Sequence, residues 1–178
     1  MSAPSPQRIT DLLSKLIRDV PDYPQPGVVF KDITPLLADG AAFAATIDAL
    51  AHGHERIDKV AGIEARGFIL AAPVACRLGV GFVPVRKVGK LPGPVHSQTY
   101  ELEYGSAAVE VKVDAFEPGE RVLLIDDVLA TGGTAAATVA LIRRCDAEVT
   151  ALSVLIELGF LGGRVNLPEL DVRALMAI

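Results

Sequence analysis

Two neighbouring carboxylates, Asp126 and Asp127, stand just ahead of a run of small residues, Ala130-Thr131-Gly132-Gly133-Thr134, and the two groups suit different parts of a ligand. Small side chains let the backbone curl so that successive N–H groups converge, and an Ala-rich helical segment from Thr134 adds the positive end of its dipole. That arrangement cradles a phosphate dianion, with the hydroxyls of Thr131 and Thr134 as further donors. Carboxylates repel phosphate at short range, so Asp126 and Asp127 serve something else. They grip vicinal hydroxyls, such as those of a ribose attached to the phosphate, or hold a cation, or merely form an acidic pair at a helix N-terminus. A P-loop does not fit: no Lys follows the glycines, and Gly62 to Gly67, with its GxxxxG spacing, continues with Phe68 and Ile69.

A second group is cationic. Arg66 follows a short apolar strand, and Arg86, Lys87 and Lys90 crowd the start of a Gly- and Pro-rich stretch. Such residues are usually just solvated, but at two loops of a chain with net charge −5 they favour an anion site. Glu103 alternates with Leu102 and Tyr104 and shares a strand face with Glu101, where both could simply face solvent.

These groups need a frame that brings them to one edge. Val122 to Ile125 is apolar on every residue, the pattern of a strand covered on both faces, as in a parallel sheet. Ligands of such sheets sit at the carboxyl ends of the strands. Val60 to Ile63, Gly81 to Val85 and Glu148 to Ile156 read as companion strands, with helices over Phe68 to Leu78, closed by Gly79, and Thr134 to Cys145. A terminal strand is predicted near Arg173 to Ile178. Ahead of the sheet, apolar residues at helical spacing predict a helix over Pro6 to Asp19, and Pro21 to Gly27 an irregular connection. Val28 to Ile33 is an extended piece, and Asp39 N-caps a helix over Gly40 to Glu55. Lys87 to Ser97 reads as a long loop, and Thr99 to Tyr104 with Ala107 to Val113 as a β-hairpin able to act as a flap. The expected fold class is α/β, one domain over residues 1–178 with a parallel core sheet flanked by helices. A hood over about residues 1–35 and a mobile loop and hairpin over 87–105 complete it.

Composition narrows the function. With 51% apolar and 22% charged residues the chain is not disordered, and its acidity argues against nucleic acid as a partner. Met1 to Pro6 lacks a signal-peptide core and no stretch approaches a membrane span, so a cytoplasmic location is expected. Cys76 and Cys145 stand alone in predicted helices and read as small buried hydrophobes. His52 and His54 flank Gly53 near a helix end and read as solvated rather than metal-binding.

The stretch IDDVLATGGT resembles the ribose-phosphate motif of the type I phosphoribosyltransferases. That resemblance implies a turn, Ala130 to Thr134, that holds the 5-phosphate of phosphoribosyl pyrophosphate, and an acidic pair on its ribose hydroxyls. Asp22 to Pro35, Gly62 to Phe68, Arg86 to Pro94 and Tyr100 to Gly105 are similar, in the same order, to segments of the adenine-using branch of the family. Together they span roughly Asp22 to Glu157. The resemblance implies transfer of a phosphoribosyl group to adenine, with Mg2+ held mainly by the donor. It places Glu64, Ala65, Arg66, Arg86, Lys87 and Lys90 at the pyrophosphate, with a cis peptide at Glu64 to Ala65. Val29, Phe30 and Lys31 would form the adenine wall, Lys31 standing where Arg is commoner. Glu103 is implied as the acid–base residue, with Arg66 its catalytic companion, and a homodimer is implied as the assembly. Two other readings stay open: another purine base, such as hypoxanthine, guanine or xanthine, and a phosphoribosyl pyrophosphate sensor without turnover.

Overall fold

Helix α1 (Pro6–Leu16) buries Ile9 and Leu13, the face its spacing predicts. It stops short of Asp19 because Pro21 bars the helical conformation at Val20. Arg18–Val20 instead forms β1, antiparallel to β2 (Phe30–Asp32), with Val20 opposite Phe30. Lys31 Nζ reaches Asp19 Oδ1 at 2.7 Å across this ribbon. The computed structural model describes residues 6–54, 56–101 and 105–178. A short helix that the sequence pattern does not announce, α2 (Thr34–Ala38), precedes α3 (Gly40–Ala51). Asp39 caps α3 as expected, accepting from the N–H groups of Ala41 and Ala42 at 3.0 and 2.9 Å. The helix ends before Gly53, whose φ of 79° cannot continue it.

Strand and helix then alternate. β3 (Lys59–Ile63) leads into α4 (Arg66–Leu78), which Gly79 closes, and then into β4 (Gly81–Lys87). Arg66 therefore opens a helix, and Arg86 and Lys87 end a strand, whereas the sequence reading puts all three in loops. The hairpin, β5 (Val95–Glu101) and β6 (Ser106–Lys112), begins four residues earlier than expected, at the expense of the long loop. β7 (Arg121–Leu129) runs on through both carboxylates to Leu129, beyond the apolar run. α5 (Gly133–Arg143), β8 (Glu148–Glu157), two turns of 3-10 helix (Gly159–Leu161 and Gly163–Asn166) and β9 (Asp171–Ala177) follow.

Seven strands form one sheet in the order β5-β6-β4-β3-β7-β8-β9. β4, β3, β7, β8 and β9 are parallel neighbours, and the hairpin adds an antiparallel margin through β6. Along β7, Leu123 and Ile125 pack with α1, α3 and α4, while Val122 and Leu124 pack with α5. Both faces are covered, which is why the run is apolar throughout. At the far margin, Thr10 Oγ1 of α1 donates to the Leu175 carbonyl of β9 at 3.1 Å.

Two expectations fail. Cys76 is exposed, on the outer side of α4, and Cys145 is only half-buried, because α5 ends at Arg143 and leaves it in the turn that follows. His54 is buried, with Nε2 3.1 Å from Ser153 Oγ, because the turn at Gly53 folds it under the sheet.

Candidate active site

The parallel pairing of β3 with β7 stops at Gly62 opposite Ile125, so Asp126 and Asp127 reach past their neighbour to the carboxyl edge. Gly67, one residue into α4, lies so close that a Cβ there would be 2.9 Å from Asp126 Oδ1. Burial, and after it the charge of Asp127, pushes the Asp126 carboxyl well above the ordinary carboxylate range. Asp126 Oδ1 accepts from the Asp127 N–H at 2.8 Å. Asp127 is buried, and its Oδ2 sits 2.7 Å from Arg66 Nη2. No well-aimed N–H among the described residues reaches that oxygen, so it keeps acceptor capacity for a ligand hydroxyl.

The small-residue turn begins where β7 ends. Gly132 takes φ +81° and sits at the N-cap of α5, so the first N–H groups of the helix have no intrahelical partner. A hollow of about 80 Å³ is lined by Asp126 and Ala130 to Thr134, together with the apolar side chains of Val128, Leu129, Ala135, Leu152 and Val154. A phosphate there meets backbone donors and a helix N-terminus together. Thr134 Oγ1 also donates to the Tyr100 hydroxyl at 3.1 Å, tying the turn to the hairpin.

Arg66 faces three ways. Beside the ion pair with Asp127, its Nη1 donates to the Lys31 carbonyl at 2.9 Å, and its Cζ lies 4.6 Å from the centre of the Phe30 ring. The peptide between Glu64 and Ala65 is cis, as expected. Arg86 is turned away from the opening: Nε and Nη2 hold the Glu64 carboxylate at 3.2 and 3.3 Å, and Nη1 the Lys90 carbonyl at 2.9 Å. Burial opposes the charge of Glu64, but Arg86 and the Lys87 N–H outweigh it and hold its carboxyl below the ordinary range.

An open cleft of about 890 Å³ joins these parts, with Glu64, Ala65, Arg66, Lys87, Asp126, Asp127 and Thr134 on its walls. Arg86 and Lys90 are not among its lining residues. Val29, Phe30 and Lys31 do not line this cleft; Phe30 and Lys31 contact Arg66, Val29 is exposed, and Tyr23 packs edge-on against Phe30 at 5.2 Å. Glu103 lies outside the described residues. The hairpin contributes Thr99, Tyr100, Ser106 and Ala108, which the sequence reading did not single out. Alternation along β5 was the available signal, since Tyr100 shares a face with Gln98 rather than with Glu101.

A small-residue turn at a helix N-terminus, a carboxylate pair beside it, and Arg66 and Lys87 on the same cleft stand together at the carboxyl edge of a parallel sheet, the setting of a phosphoribosyltransferase. The profile of the phosphoribosyl transferase domain matches residues 30–162, and the chain belongs to that family. An adenine phosphoribosyltransferase of Streptomyces coelicolor is 65% identical over 164 residues, covering 91% of this chain and 90% of the relative. One of Acidothermus cellulolyticus is 60% identical over 175 residues, covering 97% and 99%. Among solved structures, adenine phosphoribosyltransferase from Thermoanaerobacter pseudethanolicus superposes with a TM-score of 0.92 at 46% identity, covering 95% of this chain and 99% of that one. The Saccharomyces cerevisiae enzyme, solved with an imino-altritol bisphosphate and adenine, gives 0.91 at 38% identity, covering 95% and 99%.

Proposed function

We infer that this enzyme transfers the 5-phosphoribosyl group from phosphoribosyl pyrophosphate to adenine, giving AMP and pyrophosphate. The observation that carries this reading is the acidic pair Asp126 and Asp127 on one cleft beside the turn Ala130 to Thr134, a ribose grip next to a phosphate grip. The cradle anchors the 5-phosphate, and Asp126 and Asp127 accept from the ribose hydroxyls. As the bond from C1 to pyrophosphate lengthens, negative charge grows on the leaving oxygens. Arg66 and Lys87 face that side of the cleft and stabilise it, with the backbone of Glu64 and Ala65 adding donors. An adenine nitrogen attacks C1 from the opposite face and inverts it. Most of the acceleration then comes from positioning and leaving-group stabilisation. Arg86 and Lys90 join the pyrophosphate side only if their present contacts exchange for ligand oxygens.

Val29, Phe30 and Lys31 receive the base once Arg66 leaves both the Phe30 ring and the Lys31 carbonyl, which frees that carbonyl to read the adenine edge. Glu103 takes the proton that adenine loses; Glu103→Gln is expected to lower turnover more than donor affinity. Among the described residues no three His, Cys, Asp or Glu converge as a metal site. Asp126 and Asp127 suit a magnesium ion shared with the donor's oxygens, where it would neutralise pyrophosphate charge. No described helix is long and apolar enough to cross a membrane. A homodimer is the assembly we expect, checked by light scattering.

Steady-state turnover with phosphoribosyl pyrophosphate and each of adenine, hypoxanthine, guanine and xanthine tests the assignment. Adenine should give AMP with the highest kcat/KM. Faster turnover of any other base would overturn the substrate, and binding without turnover would make the chain a sensor.

A further inference from the structure

The turn at 159–166 and the small-residue turn at 130–134 meet through backbone atoms with no side chain between them. A Cβ on Gly132 would lie 2.3 Å from the Gly163 carbonyl oxygen, and one on Gly163 would lie 2.2 Å from the Ala130 carbonyl oxygen. Gly163 is not among the glycines with positive φ, so close approach alone excludes a side chain there. Asn166 Nδ2 donates to the Thr131 carbonyl at 2.8 Å. A peptide unit is planar, so holding that carbonyl also fixes the direction of the Gly132 N–H within the same unit.

Arg164 lies between these contacts and anchors them. Its Nε and Nη2 grip the two Glu157 carboxylate oxygens at 2.7 Å each, and its Nη1 donates to the Val172 carbonyl at 2.8 Å. Glu157 closes β8 and is buried, and Val172 belongs to β9, so the turn is fastened to two strands of the sheet. A forked pair fixes orientation as well as distance. Neither Glu157 nor Arg164 lines the cleft, and the transfer chemistry gives them no task. The Arg164 side chain is half exposed, and ion pairs open to solvent contribute at most about 1 kcal/mol of stability, which leaves geometry as the gain.

We propose that the turn Gly163–Asn166 is a rigid buttress of the 5-phosphate site. Gly163 and Asn166 set the shape of the turn that receives the phosphate, and Arg164, held by Glu157, sets the position of both. These are positioning residues that touch no substrate. The proposal rests on the reading that residues 130–134 take the 5-phosphate.

The mark of such a buttress is selectivity for the phosphate end of the ligand. Asn166 is exposed, so Asn166→Ala removes one hydrogen bond and no core packing. It should raise KM for phosphoribosyl pyrophosphate and Kd for ribose 5-phosphate about five- to tenfold. The adenine KM and kcat at saturation should stay within about twofold, as expected for lost uniform binding. Arg164→Met should act in the same direction, with Arg164→Lys between it and wild type, since Lys keeps the charge and loses the fork. Should Arg164→Met fail to fold, Asn166→Ala and Arg164→Lys still carry the test. An unchanged donor KM in Asn166→Ala would overturn the buttress, as would a parallel rise in adenine KM with a fall in kcat. Wild-type protein that binds no ribose 5-phosphate would instead remove the underlying assignment of the cradle.

Discussion

The two ends of the cleft are prepared differently. At the end we assign to the phosphate, the donors are backbone N–H groups set by Gly132 and by a turn packed directly against it. At the other end the two arginines already have internal partners: Arg66 holds Asp127, the Lys31 carbonyl and the Phe30 ring, while Arg86 holds Glu64. Backbone donors cannot swing away, so they suit the part of the substrate that stays attached throughout. Long side chains can exchange partners, and on the proposed reading they serve where a bond breaks and a product departs.

The contrast can be broken first at the carboxylates that join the two ends. Asp126→Asn combined with Asp127→Asn should weaken phosphoribosyl pyrophosphate binding about 10²- to 10³-fold, the loss of two charge-assisted hydrogen bonds. Titration calorimetry measures this, and unchanged affinity would deny the pair its ribose. Next, Arg66→Gln should lower kcat about 10²-fold and leave ribose 5-phosphate binding within about twofold; equal losses would mean that the two ends are not separable. Gly132→Ala introduces a Cβ at φ +81°, 2.3 Å from a backbone oxygen. It should cost about 2 kcal/mol or more in urea unfolding, and a neutral result would show that the cradle is not rigid.

The smallest effect is one of pH. The Asp126 carboxyl is raised in the folded chain from an ordinary value near 3.8, first by burial. Between those two values the folded state holds a proton that the unfolded state has released, so stability falls as pH rises through the window. Urea midpoints from pH 4 to 7 should show that slope in wild type and a flatter one in Asp126→Asn.

The legible parts of this site were those written locally. Asp126 to Thr134 falls in one stretch, so spacing alone exposes the acidic pair and the cradle, and the all-apolar core of β7 announces the parallel sheet around them. The extension of β7 through Asp126 and Asp127 was hidden because charged residues break the pattern that marks a buried strand. β1 was read as helix because Ile17 and Val20 prolong the apolar spacing of α1, while its pairing with β2 is a tertiary fact. The hairpin start at Val95 was masked by Pro92 and Pro94, which signal a loop. The contact of Arg66 with Asp127 and of Asn166 with Thr131 joins residues distant in sequence, and spacing carries no information about either.

The bond from Thr10 to the Leu175 carbonyl spans 165 residues of chain and bears on how the molecule is made. Ile9 and Leu13 of the first helix share a core cluster with Met176 of the last strand. During synthesis residues 6–16 emerge well before residues 171–177, so α1 can pack on α2 and α3 early but meets β9 only after the intervening chain has been made. One flank of the core therefore closes late, and a high sequence separation of contacts slows that closure further.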